Sequence, residues 1–175
     1  IQRKIYLVEF FFMRGVVWFR TDLRIDDNPA LHNALDNCEE VIGIYIFSQL
    51  QWKAHNESNV KLEFLLENLT LLEKSLSKLN IPLITINTDS FDSLPKDLCS
   101  FVVSNKVGQI FWNNEFGVNE SKRDLLSSAI LEKENVKTSR FDDQVIYQPG
   151  YLKTGQGKPF SVFTPFKRRW IENFE

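Results

Sequence analysis

Five runs rich in β-branched and aromatic residues, at 16–19, 41–47, 82–86, 109–112 and 137–141, constrain this chain more than any other feature. The intervals between them are far too long for hairpins, and parallel strands need crossovers of a dozen or more residues, usually helical. Each interval carries a helix pattern. Pro29–Asn37 opens with Asn28 and Pro29, a capping side chain followed by a residue whose φ is already set for a helix. Over 58–79, Leu62, Leu65, Leu69, Leu72, Leu76 and Leu79 recur in steps of three and four. That single stripe suits packing on a sheet better than a coiled-coil seam of so few heptads. Residues 91–105 and 118–134 read as two further helices. The run at 41–47 is continuously apolar, as a strand covered on both faces requires. The expectation is a three-layer α/β fold, a Rossmann-like, doubly wound parallel sheet of about five strands flanked by helices.

Composition excludes some function classes. The chain has 175 residues, 43% of them hydrophobic and 25% charged, enough for one globular domain with a sizeable core. Its formal net charge of -2 lacks the strong positive field on which sequence-independent nucleic-acid binding depends. Cys38 and Cys99 are far apart and show no CxxC spacing, which excludes a disulfide framework and fits a reducing, cytoplasmic setting. Both are expected as small apolar residues on helices. Arg3 and Lys4 before the apolar run 5–12 imitate a secretory signal, but Glu9 interrupts the run and no small-residue cleavage site follows. The run is also far short of the roughly 20 apolar residues that span a bilayer. Met13, the single methionine, is therefore expected to be the natural start.

The expected organisation is an N-terminal extension at 1–14, an α/β domain at 15–141, and at 142–175 an irregular segment leading to a last helix. Turn chemistry at 148–150 and 154–159 marks the irregular part, and Thr164-Pro165 restarts a helix. Phe166, Trp170 and Phe174 recur every four residues along it, an aromatic face that wants a partner.

Common nucleotide and metal chemistries find no support. Gly15 precedes the first strand and no GxGxxG follows it. Gly150 and Gly155 are spaced like a P-loop, but Gln156 stands where a lysine must reach a phosphate. Neither His32 nor His55 has a metal-ligand neighbour at the right spacing, and no serine or cysteine sits in a nucleophile elbow. Asp142-Asp143 reads as a solvated turn pair, and Lys167-Arg168-Arg169 as a solvated helix face.

What remains lies at the carboxyl ends of strands, where open α/β sheets bind their ligands. After the first strand, Arg20, Asp22, Arg24 and Asp27 are expected to pair with one another as a strand-to-helix junction. After the fourth come Asn113-Asn114-Glu115-Phe116-Gly117-Val118-Asn119-Glu120, and two readings are balanced there. Asn119 suits a helix N-cap, with Glu120 a first-turn acid favoured by the helix dipole. Equally, Glu120 suits an acceptor for the paired N–H groups of an amino-imino edge such as a pterin's, with Asn119 donating and accepting beside it. His55, in the segment 51–56, reads by itself as an ordinary loop histidine.

From Trp18 to Asn28 the chain matches the pattern WFRxDLRxxDN at eight fixed positions, and so resembles the DNA photolyase and cryptochrome family. Segments 141–146 with Pro149-Gly150, and 162–167 with Trp170, extend the likeness across 16–170. Segments 111–120 and 51–56 resemble the folate-type branch in particular. The resemblance implies the N-terminal antenna domain of a deoxyribodipyrimidine photolyase, the flavoprotein lyase that uses light to split cyclobutane pyrimidine dimers in DNA. It implies that 5,10-methenyltetrahydrofolate is held by His55, Asn119 and Glu120, while FAD and damaged DNA belong to a C-terminal helical domain. A monomer with no membrane attachment is expected, inactive on these residues alone and without a catalytic or metal-binding residue among them. Two other readings stay open: a cryptochrome-type blue-light photoreceptor, and an independent nucleotide-binding module of similar fold.

Overall fold

The computed structural model describes residues 13–174. In chain order it contains β1 (Arg14–Phe19), α1 (Pro29–Asn37), β2 (Glu40–Ser48), α2 (Gln49–Ala54), α3 (Asn59–Ser77), β3 (Leu83–Thr88), α4 (Leu94–Ser104), β4 (Gln109–Asn113), α5 (Val118–Lys133), β5 (Lys137–Phe141) and α6 (Phe163–Phe174). The strands form one sheet in the order β3-β2-β1-β4-β5, and all neighbouring pairs are parallel. The doubly wound α/β reading is therefore the observed fold.

Side chains alternate across a strand, so β1 feeds two cores. Val16 and Trp18 join Ile44, Ile110 and Trp112 under Leu94, Leu98 and Val102 of α4 and Leu131 of α5. Val17 and Phe19 join Phe111 under Ala30, Leu31 and Ala34 of α1 and Leu72 and Leu76 of α3. Winding runs outward from β1 to β2 and β3 on one side and to β4 and β5 on the other. The strand order thus reverses between β1 and β4, the place where a ligand crevice is expected in such a sheet.

Several local expectations need correction. Segment 51–56 is not a plain loop: Gln49–Ala54 forms α2, a short helix with no buried residue. Of the leucine stripe on α3, only Leu69, Leu72 and Leu76 are buried, whereas Leu79 is exposed and Leu62 and Leu65 are half-buried. The sheet beneath is too short to cover the whole helix, and its first turns overhang the carboxyl edge. Cys38 caps the end of α1 instead of sitting within it, while Cys99 is buried on α4; both are free thiols. Of the expected extension 1–14, residues 1–12 lie outside the described residues, and Arg14 opens β1. Met13 is exposed, and its backbone N–H donates to Glu39 Oε2 at 2.6 Å.

Between β5 and α6 the chain forms neither helix nor strand. Tyr147 stacks on Tyr151 at 5.4 Å and meets Trp170 edge-on at 5.8 Å, and Trp170 stacks on Phe174 at 5.1 Å. Trp170 and Phe166 of α6 thus meet Tyr147 and Phe160 of the irregular segment, while Phe174 stays exposed and no described residue of the helix is buried. Among the described residues no helix is long and apolar enough to cross a membrane.

Candidate functional site

The junction after β1 is built by side chains that the parallel sheet gathers from distant parts of the chain. Asn28 caps α1, its Oδ1 accepting from the Leu31 N–H at 3.1 Å. Asn113, the last residue of β4, donates from Nδ2 to Asp22 Oδ2 at 2.6 Å and to Asn28 Oδ1 at 2.9 Å, and accepts from the Ala30 N–H at 3.2 Å. Asp22 also accepts the Arg20 N–H at 2.8 Å. All of these groups are buried, so the bonds they make to one another are obligatory.

The four junction charges do not pair among themselves as expected. Arg20 binds Asp124 of α5 through Nη1 at 2.8 Å, and Arg24 binds Asp143, beyond β5, at 2.6 Å. Asp22 spends its carboxylate on N–H groups, and Asp27 offers Arg24 only its backbone carbonyl. Nor is Asp142-Asp143 a solvated pair: Asp143 is 7% exposed in its ion pair, and Asp142 accepts from Asn114 Nδ2 at 2.7 Å. The reason is topological, because the carboxyl end of β1 lies beside those of β4 and β5 although about a hundred residues separate it from them.

Behind the junction lies a buried cluster of four charges. Asp124 is fully buried and accepts from Arg20 and from Arg123 Nε and Nη2 at 2.8–2.9 Å. Arg123 also donates to Glu115 Oε2 at 2.9 Å, and the Thr21 hydroxyl donates to Glu115 Oε1 at 2.9 Å. Both guanidiniums lie over the Trp18 ring, at 5.0 Å for Arg20 and 4.8 Å for Arg123. Burial pushes the Arg20 guanidinium below its ordinary range, opposed by Asp124. Burial alone would raise the Glu115 carboxyl, but Arg20, Arg123 and the hydrogen bonds from Arg123 and Thr21 bring it below the usual carboxylate range. Burial, with Glu115 adding, pushes the Tyr45 phenol up to about 12.

This cluster forms one wall of a cleft of about 530 Å3 at the carboxyl edge of β1 and β2. Its size is that of a small-molecule site. Tyr45, Trp52, Leu62, Phe64 and Leu65 supply apolar surface, which explains why the first turns of α3 keep apolar residues that the sheet does not cover. Trp52 is held by an edge-on contact with Phe47 at 5.5 Å.

Of the three residues singled out from the sequence, His55 and Glu120 both line this cleft. His55 ends α2, is exposed, and lies 3.3 Å from Gln51 Nε2. Asn119 is exposed and is not among the lining residues. It does not cap α5 either: Gly117 is the N-cap, Asn119 lies in the first turn, and the Glu120 side chain folds back against Gly117, where a Cβ would collide with its carboxylate. Glu120 is half-buried.

Sequence reasoning missed Glu115, Arg123, Asp124 and Ser48. Arg123, Asp124, Ser127 and Leu131 are the buried residues of α5, and their spacing of one, three and four is helical. Polar residues at core-facing positions were the available signal. Arg20 Nε and Nη2 and the Ser48 hydroxyl are buried beside the cleft without a hydrogen-bond partner among the described residues. Buried donors without a partner, on residues that line an aromatic-walled cleft, fit a planar heteroaromatic ligand carrying acceptor atoms, which a folate ring system is. Among the described residues no group of His, Cys, Asp or Glu is arranged to hold a metal ion.

Comparison with known proteins agrees with this architecture. The family model described as DNA photolyase matches residues 15–175. The chain is 33% identical over 160 residues to the deoxyribodipyrimidine photo-lyase of Vibrio cholerae and 37% identical over 158 residues to that of Escherichia coli. It covers 91% and 90% of this chain in the two matches but only 34% and 33% of the relatives, so it spans about a third of their length. Cryptochrome-1 of Arabidopsis thaliana is 32% identical over 158 residues, 90% of this chain and 22% of that protein. Among solved structures, a bacterial class III photolyase from Agrobacterium tumefaciens aligns with a TM-score of 0.71 and 26% identity, covering 89% of this chain and 31% of that one. The fold, the strand-end signature and these relatives together establish that the chain belongs to the DNA photolyase family.

Proposed function

We propose that this chain is the antenna domain of a deoxyribodipyrimidine photolyase and that its cleft holds 5,10-methenyltetrahydrofolate. The observation that carries the reading is that His55 and Glu120, which the sequence places 65 positions apart, line one cleft beside unpaired buried donors. When bound, the folate supplies absorption of near-ultraviolet and blue light. Glu120, in the first turn of α5, accepts from the amino-imino edge of the pterin. Asn119, exposed one residue before it, donates and accepts beside the ring. His55 and Trp52 close the side formed by α2, and the aliphatic start of α3 excludes water from the ring face. Segment 142–175 leads to a helical domain of the same protein, where FAD and damaged DNA bind, and 15–141 is the antenna unit. The flavin performs the chemistry, and the α/β domain positions the antenna.

Substitution in the whole protein tests this. Glu120→Ala is expected to deplete the folate absorbance while leaving repair under strong direct illumination largely intact. Loss of both together would assign Glu120 a structural role instead. A blue-light receptor is the second reading, favoured by the identity to Cryptochrome-1. Repair of a thymine-dimer oligonucleotide in light separates the two, because a receptor without lyase activity leaves the dimer intact.

A further inference from the structure

Glu115 is a carboxylate that the reading above does not use, and its position gives it a specific effect on what the cleft accepts. Two guanidiniums, Arg20 and Arg123, stand side by side at 7% and 6% exposure, with a single fully buried carboxylate, Asp124, bound to both. Those three groups alone carry one net positive charge. Arg20 spends only Nη1 on Asp124, and its parallel fork, Nε and Nη2, is buried without a hydrogen-bond partner among the described residues. A free guanidinium fork beside net positive charge is the arrangement that takes phosphate or carboxylate in a bidentate grip. Glu115 is the carboxylate beside it. Its Oε2 is 3.8 Å from Arg20 Nε, too far for a hydrogen bond and close enough to cancel the charge. Arg123 and Thr21 hold the carboxylate there, and Gln144 in turn donates to the Thr21 hydroxyl at 2.9 Å.

We propose that Glu115 is a specificity-determining residue: it brings the charged wall of the cleft to zero net charge and so bars phosphate-bearing ligands while leaving the unpartnered Arg20 fork to a neutral acceptor that reaches into the wall. The inference rests on the cleft being a ligand site, as proposed above. The cost of an anion there is repulsion from Glu115 at short range in a poorly solvated wall, whereas a carbonyl acceptor meets no such penalty.

The test uses the whole protein and inorganic pyrophosphate as the probe, titrated calorimetrically. Glu115→Gln keeps the size of the side chain and its acceptor oxygen toward Thr21 or Arg123. This variant is expected to bind pyrophosphate at least about tenfold more tightly than the parent, with an affinity that falls as salt rises. Adding Arg20→Gln should abolish the gain, which locates it in the cleft and not at another phosphate site. Equal pyrophosphate affinity in the parent and in Glu115→Gln would overturn the proposal, as would a gain that survives Arg20→Gln. Glu115→Ala is made in parallel, and failure of both variants to fold by circular dichroism would assign Glu115 to structure and also overturn it. Folate retention by the parent protein, read from its absorbance, fails or holds independently of these outcomes and reports on the antenna reading alone.

Discussion

Asp124 shows how much a single residue carries. It is fully buried and is the shared acceptor of Arg20 and Arg123, so its loss leaves two guanidiniums over the Trp18 ring with Glu115 as their one carboxylate among the described residues. Asp124→Ala is expected to cost about 3–5 kcal/mol, read as a fall in the urea midpoint. Glu115 has a different signature. Its carboxyl titrates lower in the folded protein than in the unfolded chain, so its stabilisation is present above the ordinary carboxylate range, about pH 4 to 5, and is lost as pH falls through the depressed folded value. Melting temperature measured from pH 6 down to 3 should therefore fall more steeply in the parent than in Glu115→Gln; parallel curves would mean that the ion pair contributes nothing to folding. Such residues were hard to read in the sequence. Arg123-Asp124 looks like any exposed acid-base pair until its register with Ser127 and Leu131 shows that it faces the sheet. Arg24 and Asp143 are ordinary surface residues until β1 and β5 come to one edge.

Elements were more legible than their partners, because periodicity is a local property and burial is not. Lys137–Phe141 and Pro29–Asn37 stand where the residue pattern placed them, and Asn28 caps as its position before proline implies. The α3 stripe was legible as a stripe but not as two halves with different duties. Its second half packs on the sheet, with Leu76 fully buried, and its first half faces the cleft. Thermal denaturation separates them: Leu76→Ala should cost about 2–5 kcal/mol, whereas Leu62→Ala should cost less than about 1 kcal/mol. Comparable losses would place both halves in the core. The short helix α2 escaped sequence reading because its six residues include none that is buried, leaving no apolar period to detect. It is held by Trp52 against Phe47, and this places His55 at the cleft.

At the scale of the whole molecule, the fold was legible because long crossovers force parallel pairing, and the family because its signature lies on the strand end that the fold needs most. The cleft was only half legible. His55 and Glu120 come together as lining residues, but the charge balance of its inner wall arises from β1, β4 and α5 meeting at the point where strand order reverses. The same topology gives the domain a simple division of labour. Asn113, Asn28 and Asp22 lock the sheet's edge, and the cleft beside them stays open for a ligand. The most direct measurement is the absorbance spectrum of the whole purified protein before and after reconstitution with 5,10-methenyltetrahydrofolate, recorded beside Glu120→Ala. A folate band that saturates at one equivalent in the parent and is lost in Glu120→Ala is the expected result. No folate uptake by the parent, or equal uptake by both proteins, would contradict the assignment of this cleft as the antenna site.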